Sequence, residues 1–381
     1  MLRRTLPVLP APANLAALPA RLFAAVQAQW PAAGTDFDLD SPLLEVDALE
    51  FVHAYGEQNH SVAARAIYID TVRRLAASID STGSILQEVL PAPGRIMQGR
   101  FLATHAMLLD HFLAVAALEN DAACASAAQR VASWMTTVLF EPRSGLFRAA
   151  QGTLAIEAGK AVLTSAERAR MQGGGHARFP APAVVPFAPT GANAQAAAAL
   201  SRFPGKTADA ERFRGLGRRV FAVLSAAPRP GGRVPHDYAL TPAGGLQPGE
   251  IDTAIDAAEW GLALLAAAPA LSVDVRATRL AAARAQGDEL LTRFAANDIG
   301  AFYDVPPPDS LAPERARLRL APLADNARVS LFLIELARAT GQAPYRDAGV
   351  RALEAWGYSV RGQSPWTASL YGTAVLAALR H

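Results

Sequence analysis

The chain has 381 residues, 51% of them hydrophobic and 18% charged, enough apolar material for a large buried core and too little polarity for wholesale disorder. Its formal net charge is +2, its only lysines are Lys160 and Lys206, and no basic block carries interleaved aromatics, so nucleic acid is not an expected partner. One cysteine, Cys124, excludes internal disulfides, cysteine-based zinc sites and CxxC redox chemistry.

In chain order, Met1 to Asn14 reads as an irregular arm. Its two arginines, apolar stretch and small residues loosely imitate a signal peptide, but Pro7, Pro10 and Pro12 break the apolar region. A cytoplasmic location is the expectation, with secretion through this stretch left open. Leu15 to Trp30 carries Leu18, Leu22, Phe23 and Val26 at helical spacing. A linker then ends in Ser41-Pro42, a capping hydroxyl before a proline at the first helical position. Residues 1–40 are thus assigned to an arm and a closing helix, and 41–381 to the body of the fold.

Leu43 to Tyr55 and Ser61 to Ile79 read as a helical hairpin, followed by a turn at Gly83. Arg100 to Leu118 and Asp121 to Phe140 form the next, closed by a turn with Gly145 and Phe147. In the second of these helices Cys124 reads as a packed small hydrophobe. The segment 151–189 is irregular, with three successive glycines and a run of prolines, and is the best candidate for a lid or substrate-contacting loop. Gly191 to Arg202 with Thr207 to Ala226, Asp252 to Ala267 with Val273 to Ala295, and Asp325 to Thr340 with Ala343 to Tyr358 supply three more hairpins. Trp366 to Leu379 is a final helix without a following partner. No apolar run is read as reaching the roughly 18 residues that span a bilayer.

Five hairpins plus two unpaired terminal helices give twelve helices if the first and last pair with each other. A hairpin of this length cannot bury its own apolar face, so the copies must pack side by side. The glycine turns recur irregularly, at spacings unlike the roughly 34–47 residues of open helical arrays. The expected fold is therefore all-α: an (α/α)6 toroid closed by pairing of its terminal helices.

Gly300-Ala301-Phe302-Tyr303-Asp304, Asp325-Asn326-Ala327, Leu336 to Gly341 and Tyr345-Arg346 together resemble the C-terminal helical toroid of the DUF255 (YyaL-like) family. Gly231-Gly232-Arg233, Glu250-Ile251-Asp252 and Trp260 are similar to the hairpin before it, and the likeness extends over about residues 95 to 380. That family shares its ring with six-hairpin glycosidases and N-acylglucosamine 2-epimerases. The resemblance implies carbohydrate-related chemistry, or else a non-catalytic ring beside a separate thioredoxin-like protein, because this chain lacks the family's thioredoxin-like domain.

Candidate site residues are those at the starts of the inner helices and in the loops before them. Asp252 and Asp256 lie four apart on one helix face, and two facing carboxylates suit acid/base work on a glycoside. The competing reading is helix capping. His236, in VPHDY, is a candidate acid/base imidazole or a turn-stabilising residue. Tyr303, Asp304, Asp325 and Asn326 offer aromatic and hydroxyl-binding groups for a sugar, or turn packing. His105 is either a base facing the cavity, paired with His236, or a packed histidine. It points about 120° away from His111 around its helix, so the two do not form a metal site. Trp366 and Tyr371 are an aromatic wall or core. Neither a metal nor a cofactor is expected, and GGG at 173–175 lacks the context of a nucleotide-binding loop.

Overall fold

In the computed structural model, the described residues are 13–30, 42–92, 95–153, 184–226, 233–241, 243–267, 272–307, 319–357, 360 and 365–380. The arm before residue 13, Ser41 and most of the 151–189 excursion lie outside them.

Among the described residues, twelve helices follow a one-turn segment at Ala13–Ala16. They are α1 (Leu18–Gln29), α2 (Pro42–Asn59), α3 (Val62–Ser78), α4 (Leu102–Glu119), α5 (Ala122–Trp134) and α6 (Thr190–Ser201). The second half holds α7 (Ala208–Ala226), α8 (Ala254–Ala266), α9 (Val273–Glu289), α10 (Leu323–Thr340), α11 (Ala343–Trp356) and α12 (Pro365–Leu379). Even-numbered helices form an inner ring, each packed on the next, and α12 closes it by packing against α2. The odd-numbered helices lie outside, each against its hairpin partner, with α1 on α12. This is the (α/α)6 toroid expected from the sequence, including the pairing of the terminal helices.

The inner helices are apolar on nearly every side because neighbours cover them on both flanks and from behind. In α6 the run Ala196 to Leu200 is almost wholly buried, and its small side chains let α4, α7 and α8 approach together. The outer helices are amphipathic, as in α7, where Phe213, Val220, Phe221 and Leu224 face inward between arginines. Cys124 is buried in α5, among the core side chains. α4 is long and apolar enough to cross a membrane by length and composition, contrary to the sequence reading. It is an inner-ring helix packed on α5 and α6 and carrying His105, Asp110 and His111, so ring burial accounts for its apolarity.

The two ends of the ring differ. At one end, inner helices pass to outer helices through short turns, four of the described ones using a left-handed residue: His60 (φ 51), Asn120 (φ 51), Gly205 (φ 89) and Gly341 (φ 70). At the other end, longer connections lead into the inner helices and, among the described residues, carry ten short strands that the sequence reading did not anticipate. β1 (Gln87–Ala92), β2 (Arg95–Phe101) and β5 (Ala150–Thr153) form one antiparallel sheet. β6 (Phe187–Pro189), β7 (Asp237–Leu240) and β8 (Leu246–Pro248) form another.

The internal repeat is explicit at this end. α5 and α9 both finish in a π-helical turn, Met135–Leu139 and Leu290–Phe294. Each then enters a two-residue hairpin, β3–β4 (Phe140–Glu141, Leu146–Phe147) or β9–β10 (Ala295–Ala296, Ala301–Phe302). Gly145 (φ 77) and Gly300 (φ 71) take the left-handed position in the two turns, where a side chain is disfavoured.

Each hairpin is clasped by the fourth residue of the next inner helix. Asn193 Oδ1 accepts from Phe147 N (2.7 Å) while its Nδ2 donates to Phe147 O and Pro189 O (2.9 Å each). Asn326 does the same with Phe302 N (2.8 Å), Phe302 O and Pro322 O (2.9 Å each). His105, fourth in α4, is a third version. Its Nε2 accepts from Ile85 N (3.0 Å), which leaves Nδ1–H to donate to Phe101 O (2.6 Å).

Candidate active site

The loop-side end gathers polar groups at the starts of α8 and α10. Thr253 caps α8, its hydroxyl accepting from Asp256 N (3.3 Å) and donating in turn to Asp256 Oδ2. Asp256, the third residue of the helix, is 4% exposed. Its Oδ1 accepts from Gly191 N (2.9 Å) at the start of α6, and its Oδ2 meets His236 Nδ1 at 2.6 Å. Gly191 is required by this approach: a Cβ there would lie 3.0 Å from Asp256 Oδ1 and 3.3 Å from Glu259 Cβ.

His236 leads into β7 and is held by its backbone. Its N–H donates to Ile251 O (2.8 Å), and its carbonyl accepts from Thr190 N (2.9 Å). The ring is thus fixed at the carboxylate edge while its side chain remains 53% exposed. A buried carboxylate on Nδ1 sets the imidazole's orientation and, where the ring is neutral, its tautomer.

Asp325 is the third residue of α10, at the position Asp256 occupies in α8. Burial pushes its carboxyl pKa up to about 6, helped by the negative charges of Asp304 and Asp256. A carboxyl group so raised is suited to giving up a proton in acid/base chemistry.

The remaining sequence candidates divide. Asp304 is half-buried and turned toward its own loop, accepting from Val305 N (2.9 Å) and Leu320 N (2.8 Å). Its carbonyl accepts from Ala254 N (2.9 Å), tying that loop to the start of α8. The ring of Tyr303 is covered by the Arg319 guanidinium, 3.8 Å from its centroid. Asp252 lies before the first turn of α8 and so does not share a helix face with Asp256. It is 5% exposed, with Oδ2 directed at Arg293 (3.3 Å) and Arg233 (3.7 Å), and it precedes the helix start.

Asn326 and His105 are also placed otherwise than expected for ligand contacts. Both are buried and spend their polar atoms on the clasps described above. His105 stacks near Trp134 (centroids 4.3 Å), and burial lowers its pKa to about 4, so it neither faces a cavity nor pairs with His236. Tyr371 is core, its hydroxyl donating to Leu353 O (2.5 Å). The side chain of Trp366 lies outside the described residues. Among the described residues no three His, Cys, Asp or Glu side chains are grouped to hold a metal ion.

One turn below Asp256 runs a network absent from the sequence reading. Arg328 of α10 donates through Nη1 to Glu50 of α2 (2.6 Å) and through Nε to Glu259 of α8. Glu259 Oε2 also accepts from Gln195 Nε2 of α6 (2.7 Å), so four inner helices are joined across the ring. The signal in the sequence was weak: Gln195, Glu259 and Arg328 are each the sixth residue of their helices, visible only once the helix starts are fixed.

Fold and site together define a helical toroid with a cluster of polar and titratable side chains at its loop end. No family description and no curated protein sequence matches the chain. Solved structures do. An unsaturated glucuronyl hydrolase from Bacillus sp. GL1 superposes with a TM-score of 0.59 at 13% identity, over 97% of this chain and 96% of that one. A family 105 glycoside hydrolase from C. acetobutylicum gives a TM-score of 0.63 at 10% identity, over 94% and 98%. A cellobiose 2-epimerase from Bacillus thermoamylovorans gives 0.55 at 8% identity, over 83% and 75%. The chain shares its helical-toroid fold with these proteins. The narrower DUF255 resemblance has no counterpart among these matches. Several of the residues that carry it, Gly300, Asn326 and Gly341, occupy turn, clasp and helix-end positions of the ring.

Proposed function

We propose that this protein binds a sugar at the loop-side pole and performs acid/base chemistry on it, by glycoside hydrolysis or epimerisation. The observation that carries this reading is the His236–Asp256 pair together with Asp325, whose carboxyl is raised to about 6 by burial and by the charges of Asp304 and Asp256, so that it holds its proton to higher pH than an ordinary carboxyl. Asp325 serves as the acid, giving its proton to a leaving or carbonyl oxygen. His236, oriented by Asp256, takes a proton from water or from a sugar carbon. Tyr303 supplies a hydroxyl contact from the loop before α10, while Asp304 holds that loop in place. The fold shared with sugar hydrolases and a sugar epimerase supports the substrate class.

The test is a screen of mono- and disaccharides by thermal shift, with product analysis of each ligand that stabilises. Stabilisation by a sugar, with conversion lost in Asp325→Asn, is the expected result. If the ring instead follows the DUF255 resemblance as a non-catalytic scaffold, no sugar shifts the melting temperature and a thioredoxin-like protein does.

A further inference from the structure

The outer layer of the ring contains one side chain that breaks its pattern. α9 turns Arg279, Ala283, Gln286 and Gly287 inward, at the spacing of a core-facing helical stripe. A guanidinium thus stands where such a stripe ordinarily carries an apolar group, and it is only 9% exposed. It reaches the neighbouring outer helix α7 and lies over the ring of Phe221, 3.9 Å from the centroid. Phe221 in turn packs near Trp260 of α8 (centroids 5.5 Å).

Among the described residues Arg279 has no hydrogen bond and no ion pair, and its Nη1 is buried without any partner. The carboxylates of the helices packed around it are engaged elsewhere. On α8, Asp256 is held by His236, and Glu259 by Gln195 and Arg328. On α9, Asp288 accepts from Tyr345 (2.7 Å), Glu289 accepts from Arg293, and Asp274 lies in the exposed first turn. On α7, Asp209 and Glu211 are in the first turn, and even Glu211 is about 15 Å along the axis from Phe221. The connections at 227–232 and 268–271, which follow α7 and α8, contain no acidic residue in their sequence.

A buried charge without a partner is unfavourable, and an arginine cannot escape that cost by giving up its proton near neutral pH. Burial lowers the pKa of Arg279, and no neighbouring charge acts against that shift. The face of Phe221 offsets part of the lost hydration but supplies no acceptor for the guanidinium N–H groups. What is missing is an acceptor from outside the chain. The planar fork of a guanidinium is matched by an oxyanion that offers two coplanar oxygens.

We infer that Arg279, between the outer helices α7 and α9, is the receptor for a small oxyanion, a phosphate or a carboxylate held by the guanidinium fork with Phe221 behind it. The inference is independent of the loop-side sugar reading, since it uses none of the same side chains and lies in the outer layer of the ring.

Thermal unfolding of the full chain against sodium phosphate and, separately, sodium acetate tests it, with ionic strength held constant by sodium chloride. The expected result is a saturable rise in melting temperature with at least one of the two anions. A response to phosphate alone assigns a phosphate site, and a response to acetate alone a carboxylate site. Arg279→Met, an uncharged and flexible side chain that can still cover Phe221, should lose the response. In chloride alone it should melt higher than wild type, because the unpaired charge is gone. Arg279→Lys keeps the charge without the fork and should bind the anion about tenfold more weakly. Absence of a saturable response to either anion in wild type overturns the proposal, as does an equal response in Arg279→Met, which would mark a general salt effect. A lower melting temperature of Arg279→Met in chloride also overturns it, by showing the guanidinium to be stabilising without an anion. Should Arg279→Met fail to fold, Arg279→Lys carries the test, and an anion affinity equal to that of wild type overturns the proposal.

Discussion

Asp256 and His236 are joined by a 2.6 Å hydrogen bond that links the first turn of α8 to the loop before β7. The buried member is the carboxylate and the exposed member is the imidazole. A carboxylate so placed acts through the histidine, by fixing its tautomer, and it need not touch substrate itself. Removing either partner should therefore abolish the same function. His236→Ala and Asp256→Asn are each expected to lower turnover of a converted sugar about 10²- to 10⁴-fold. The double variant should be no slower than the worse single one, because the pair works as a unit. A double-mutant rate series checks this.

Asp325 gives a stability signature that activity alone would not. Its folded pKa, about 6, lies above the ordinary 3.8, so the folded state holds its proton more tightly than the unfolded chain does. Its contribution is favourable at low pH and is lost as pH rises from about 4 through 6. Asp325→Asn should accordingly be more stable than wild type at pH 7.5 by about 1–2 kcal/mol, after allowance for its partial exposure, and inactive. Denaturant unfolding at pH 4 and pH 7.5 measures the difference, which should shrink toward zero at the lower pH.

His105 behaves with the opposite sign. Burial lowers its folded pKa to about 4 from 6.5, and Nε2 must stay unprotonated to accept from Ile85 N. Its contribution is complete above pH 6.5 and is lost as pH falls from there through 4, up to about 3 kcal/mol in all. His105→Gln should flatten the acid limb of the stability–pH curve between those values. Urea midpoints at half-unit pH intervals provide the measurement.

The clasps are the third structural test. Asn193→Ala leaves the buried Phe147 N–H without its partner, and Asn326→Ala does the same to Phe302 N–H. Each should cost about 2–4 kcal/mol, since three hydrogen bonds are lost and a buried donor is stranded. With α8 between the two sites, the double variant should be additive within about 0.5 kcal/mol, which equilibrium unfolding would show.

The ring was legible in the sequence because helical periodicity, capping residues and glycine turns are local signals. The twelve-helix count with closure by α1 and α12 needed nothing else. The strands at the loop end were not legible. β3–β4 and β9–β10 are two residues long, and β1–β2 pair within a connection whose sequence, QEVLPA to RIMQGRF, lacks strict alternation. Among the site residues, His236 and Asp256 were found by residue type, but their pairing depends on 20 residues of intervening chain folding back as β7–β8. Asp252 and Asp256 shared a predicted helix face, which broke down because the helix starts after Thr253 and Asp252 belongs to the preceding bridge with Pro235. Asn326 and His105 looked like ligand-binding residues for a physical reason: buried backbone groups at a turn demand the same polar side chains that a sugar would.

On the proposed function, Asp325 and His236 at the loop-side pole convert a bound sugar. The most direct measurement is a saccharide screen run in parallel on wild type and Asp325→Asn, following both thermal shift and product formation. The account predicts at least one sugar that stabilises both proteins and is converted only by the wild type. A complete absence of stabilisation by mono- and disaccharides, or conversion that persists unchanged in Asp325→Asn, would contradict it.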